Sequence, residues 1–100
     1  MYKKTTLILA GIAGLALTGL SAAADVHTRT IAATCMSCHG PNGKSETAIP
    51  GIAGVDKDYF VKAMQNYKSG KRMGTIMKKH AAGYTDAEFE ALGEYFASLK

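Results

Sequence analysis

A strong excess of either charge is missing from this sequence. Once residues 1–24 are set aside as a leader, ten basic side chains face eight acidic ones, a balance too mild for a protein that binds nucleic acid. No segment alternates apolar and polar residues with period two, which argues against strands and against the βαβ unit of a thioredoxin-like redox protein. Cysteine is limited to Cys35 and Cys38. A structural zinc site wants four ligands, and with no second C-x-x-C pair His27 and His80 would have to complete it. Repeats and low-complexity tracts are also missing after the leader, and no segment beyond Asp25 is apolar enough over its length to span a bilayer.

The first 24 residues have the pattern of a secretory signal peptide. Lys3 and Lys4 form a basic start, residues 7–20 an apolar middle, and Ala22-Ala23-Ala24 a small-residue cleavage site before Asp25. The competing reading is a retained membrane anchor, since residues 5–24 carry no charge. Gly11, Gly14 and Gly19 interrupt that run, so export with cleavage is expected, leaving residues 25–100 as one domain. A domain of that size buries little surface and gains from a cross-link or cofactor.

Three helices are expected in residues 25–100. The first runs over 26–38, with Ile31, Ala32 and Cys35 on one face, and stops at the Gly40-Pro41-Asn42-Gly43 turn. Asp56 is the expected N-cap of the second, whose Phe60, Ala63, Met64 and Tyr67 follow an i, i+3, i+4, i+7 pattern ending before Gly70. Thr85 and Glu88 make a capping box for the third, which should bury Phe89, Leu92, Phe96 and Leu99. The expected class is all-α, with long loops for so short a chain.

Within the first helix, Cys35-Met36-Ser37-Cys38-His39 is a C-x-x-C-H haem-attachment sequence. Cysteines three residues apart share one face of a helical turn, so both sulfurs can reach the two vinyl groups on one edge of a porphyrin. The next residue's imidazole then comes under the ring, where a nitrogen can bind iron. A disulfide between the two cysteines is the plainer reading of an exported pair, but it leaves His39 and the all-α pattern without a role.

Over residues 25–100 the chain resembles a class I cytochrome c: the motif lies on an N-terminal helix, followed by a middle helix, a methionine-bearing loop and an aromatic C-terminal helix. More narrowly, it is similar to the haem domains of the cytochrome subunit of flavocytochrome c sulfide dehydrogenase and related small bacterial monohaem cytochromes. The segments that carry the likeness, beside the motif, are Ile49-Pro50-Gly51-Ile52-Ala53, Tyr67-Lys68-Ser69-Gly70, Thr75-Ile76-Met77 and Gly83-Tyr84-Thr85. That subunit usually has two haem domains, whereas this chain has one haem motif. The resemblance implies an all-α class I cytochrome c fold of three main helices around one covalent haem c with its iron, and a periplasmic electron carrier rather than an enzyme. It also implies redox proteins as donor and acceptor, a flavoprotein among them, and no nucleic-acid partner. A membrane would be involved only if the leader were retained.

His39 takes one face of the iron, and a sulfur or imidazole is expected on the other. Met36 lies between the cysteines, on the wrong side of the ring, and Met64 sits on the apolar face of the middle helix. Met73, Met77 and His80 remain. The family pattern implies Met77, because the ligating methionine precedes the C-terminal helix by a short apolar loop containing glycine, as Met77 precedes Ala81-Ala82-Gly83-Tyr84. It also places a proline carbonyl against the second nitrogen of the ligating histidine, which implies Pro50. The plainer readings are that Pro50-Gly51 is only a turn and that His80 is a solvent-facing loop residue. Cys35, Cys38, His39, Pro50, Ile52 and Met77 are thus expected to line one cavity. Finally, residues 59–85 hold six basic side chains and no acid, while Asp86, Glu88, Glu90 and Glu94 cluster in the last helix.

Overall fold

The computed structural model describes residues 24–100; the expected leader falls almost wholly outside them. Among the described residues there are four α-helices and no strand: α1 (Val26–His39), α2 (Lys57–Ser69), α3 (Ile76–Ala82) and α4 (Asp86–Ser98), with a single 3₁₀ turn at Pro41–Gly43. None of these helices is long and apolar enough to cross a membrane.

Side chains that satisfy free backbone N–H groups start three of the helices. Asp25 accepts from Thr28 N at 2.6 Å, and that bond holds its carboxyl below the usual range. Asp56 accepts from Tyr59 N at 3.0 Å. At α4 the capping box is complete: Thr85 Oγ1 accepts from Glu88 N at 3.2 Å and Glu88 Oε1 from Thr85 N at 2.9 Å, a pairing that satisfies two orphan donors at once. α1 runs one residue further than its periodicity suggested, to His39, and Gly40 ends it.

α4 is the centre of the core. Phe89, Leu92 and Phe96 on it are fully buried, each contributing about 1.5–3 kcal/mol over exposure. Phe96 stacks on Phe60 of α2 with centroids 5.9 Å apart, and Ala32 of α1, Val61 and Met64 of α2 and Ala81 of α3 close the cluster. Leu99, expected on the same stripe, instead caps the end of α4 in extended backbone and is half-buried.

α3 corrects the expected loop. Met77 lies in a seven-residue helix, which Thr75 precedes without a side-chain cap. Only Met77 and Ala81 supply an i, i+4 apolar pair, too little for a periodic signal. The burial of Ala81 against the core holds it in place.

Candidate haem site

The last turn of α1 carries Cys35, Cys38 and His39, and the segment after the 3₁₀ turn is strapped beneath it. Gly43 O accepts from Ile52 N at 2.8 Å and Ala53 N at 3.0 Å, and Gly54 N donates to Phe96 O at 2.8 Å. These bonds fix Pro50 against His39, whose Nδ1 lies 2.6 Å from the Pro50 carbonyl oxygen. A carbonyl can only accept, so Nδ1 carries the proton and Nε2 keeps its lone pair. The imidazole is thereby oriented as a metal-ligating histidine needs to be.

A cavity of about 270 Å³ opens at this point. All six residues expected to line one cavity do so: Cys35, Cys38, His39, Pro50, Ile52 and Met77. α2 contributes Tyr59, Phe60, Ala63, Met64 and Tyr67, the stripe that recurs every three to four residues along its inner face. Arg72, Ile76, His80 and Tyr84 complete the far wall. Cys35 is half-buried, and that burial pushes its thiol up from the ordinary value; Cys38 is exposed at the edge.

The three contenders for the far side of the iron separate. Met73 is 94% exposed and does not line the cavity, whereas Met77 and His80, three residues apart on α3, both do. His27 is elsewhere, at the start of α1, with Nε2 2.7 Å from Glu88 Oε2. The zinc alternative required His27 and His80 to join the cysteines, and among the described residues no such group of three or more His, Cys, Asp or Glu side chains gathers.

The residues present fit a haem. Two thiols, an imidazole with a free Nε2, the Met77 thioether and apolar walls from Ile52, Val55, Phe60 and Met64 share one cavity, a donor set and lining that suit a porphyrin. Sequence reasoning missed Tyr59, Ile76, Arg72 and Tyr84 as cavity residues. Tyr59 was within reach, being four and eight residues before Ala63 and Tyr67. Arg72 and Tyr84 lie outside the stripe and carried no periodic signal. Tyr84 is placed by contacts between distant parts of the chain: its hydroxyl is 3.1 Å from Thr34 Oγ1, and Lys68 Nζ donates to its carbonyl.

The Cytochrome c family profile matches residues 26–100. The chain is 36% identical over 105 residues to the cytochrome subunit of sulfide dehydrogenase of Chlorobaculum tepidum, covering 99% of this chain and 96% of that protein. That relative is thus of about the same length as this chain. Identity is 34% to the thiosulfate dehydrogenase electron acceptor of Stutzerimonas stutzeri and 35% to cytochrome c4 of Pseudomonas aeruginosa, and the match spans only 43% and 46% of those longer proteins. The chain belongs to the cytochrome c family, as an electron carrier with a covalently bound c-type haem.

Proposed function

We propose that the protein is a periplasmic one-electron carrier, exported by a signal peptide at 1–24 and folded as one domain over 25–100. In this reading Cys35 and Cys38 hold the haem by thioether bonds, and His39 and Met77 are the iron's axial ligands. Bound there, haem supplies a reversible one-electron iron couple. The chain's own side chains do the rest. Pro50 keeps the imidazole turned by accepting a hydrogen bond from Nδ1 at 2.6 Å, Met77 brings its thioether to the same cavity from α3, and Ile52 and its apolar neighbours line it.

The orientation of His39 carries this reading, because it leaves Nε2 as the nitrogen available to a metal beside two thiols. With both axial positions taken by protein, no site is left for a substrate. The reduced protein should therefore show no spectral change with carbon monoxide; a shifted Soret band would mean an open or labile sixth position and a ligand-binding haem protein instead.

A second reading rests on the relative from Chlorobaculum tepidum, which is named for sulfide dehydrogenase. Here the chain is the cytochrome subunit of a flavin-dependent oxidoreductase and receives electrons from a flavoprotein. Gel filtration of native extract separates the two: a free shuttle elutes near its own small mass, a subunit with its partner.

A further inference from the structure

Two side chains able to bind iron lie on one short helix of the cavity wall. Met77 and His80 are three residues apart on α3, a spacing that puts them on one side of it, and both are half-buried and line the cavity. Met77 fills the axial role in the reading above, which leaves His80 without one. His27 and His39 have ring partners, Glu88 and the Pro50 carbonyl; among the described residues the His80 ring has none. A half-buried imidazole with both nitrogens unbonded, lining the same cavity as the thioether, is a ready metal ligand. Its neighbours offer no rival, since Lys78 and Lys79 are exposed and do not line the cavity.

α3 is also lightly held. It has seven residues and no side-chain cap, and Ala81 alone is buried, whereas the other three helices run 13 or 14 residues from a side-chain cap. Elements with few buried contacts are the ones that shift at low cost. Side chains three apart on a helix begin about 5–6 Å from each other, a gap that rotation of the His80 side chain and a small slip of α3 can close. We propose that His80 is a reserve axial ligand, which takes the iron when the Met77 thioether leaves it and so keeps that position closed to small ligands. This rests on the haem reading above. The exchange breaks one sulfur–iron bond and forms one nitrogen–iron bond through the lone pair of the neutral imidazole, with no electron or proton transferred. Because Met/His pairing is the one that raises the reduction potential, the His80-bound form is the poorer electron acceptor.

The test compares matured Met77→Ala with matured Met77→Ala/His80→Ala by visible spectrum and by carbon monoxide titration of the reduced form. Met77→Ala should remain low-spin with His80 bound, at a midpoint potential below that of the wild type. The double variant should be high-spin and bind carbon monoxide freely. With His80 on the iron in about nine molecules of ten, half-saturation of the single variant needs about tenfold more carbon monoxide than that of the double. Equal affinities, or a low-spin spectrum that persists in the double variant, would overturn the role of His80 while leaving the haem site intact. Should Met77→Ala fail to mature, ferric wild type and His80→Ala are compared on warming. As the far-red absorption of methionine ligation fades, the wild type should stay low-spin and His80→Ala should turn high-spin; like behaviour in the two would overturn the proposal. A wild type without that absorption, whose spectrum His80→Ala alters, would make His80 the resting ligand and overturn the Met77 assignment as well. A wild-type protein lacking covalent haem on a denaturing gel would overturn the parent reading and this one with it.

Discussion

Replacing Gly43 with alanine strikes the strap that holds Pro50 against His39. Gly43 has φ 74, and an L side chain in left-handed backbone costs roughly 1–2 kcal/mol. The added methyl carbon would stand 3.0 Å from Ala53 N, 3.1 Å from Ile52 Cγ1 and 3.2 Å from Phe96 Cδ1. Crowding of that kind in a packed core costs about 1–3 kcal/mol. Alanine also stiffens the unfolded chain, but that offsets only about 0.4–1 kcal/mol. The net loss is therefore roughly 1–5 kcal/mol, a large share of the roughly 5–15 kcal/mol that stabilises a domain. At 2 kcal/mol the midpoint of thermal unfolding falls by roughly 8–16 °C for a domain of this length. Denaturant and thermal unfolding of the haem-bearing protein measure it. Gly54→Ala is the control, since it has a similar φ of 73 but meets only Leu99 O at 3.3 Å; its loss should be the smaller. A Gly43→Ala loss no larger than that of Gly54→Ala would refute the argument that the strap is packed tightly against α4.

Other consequences can be checked on the same protein. Met77→Ala should abolish the weak far-red charge-transfer absorption of a methionine-ligated ferric haem, and Met73→Ala should leave it. Loss with Met73→Ala instead would reassign the ligand. Glu88 is held below its ordinary value of 4.5, first by the Thr85 backbone N–H and then by His27. Its folded-state pKa is depressed, so its contribution to stability is fully present above the ordinary value of 4.5 and is lost as the pH falls through the folded pKa. Glu88→Gln keeps a capping-box side chain but should flatten the acid limb of a stability profile below the ordinary carboxylate value of 4.5; an unaltered limb would show that other carboxylates govern it. Lys78 and Lys79 follow Met77 on α3 and are exposed. Electron transfer to an acidic partner should slow as salt shortens the Debye length to about 10 Å or less, and Lys78→Glu with Lys79→Glu should slow it at low salt. Indifference to both would make these lysines a solvated surface.

Much of this arrangement was legible because it is local. Thr85 and Glu88, or Asp56 before α2, announce a helix start within four residues, and C-x-x-C-H fixes three site residues within five. Phe89, Leu92 and Phe96 follow from the spacing of one helix. What escaped depends on contacts between distant parts of the chain. α3 is too short for periodicity and is held by Ala81 in the core. Leu99 continues the spacing of α4 in sequence, but the helix has already ended at Ser98. Arg72 reaches the cavity only because the chain reverses at Gly70 and folds back on Asn66, a geometry that no single segment encodes.

The measurement that bears most directly on the central claim is the mass of the exported protein made with a cytochrome maturation system, read after full denaturation. Thioether bonds survive unfolding, whereas coordination bonds do not. The chain should carry the mass of one haem and stain for it on a denaturing gel, and replacing both Cys35 and Cys38 with alanine should remove the haem. A full-length, exported wild-type chain at its haem-free mass would contradict the account.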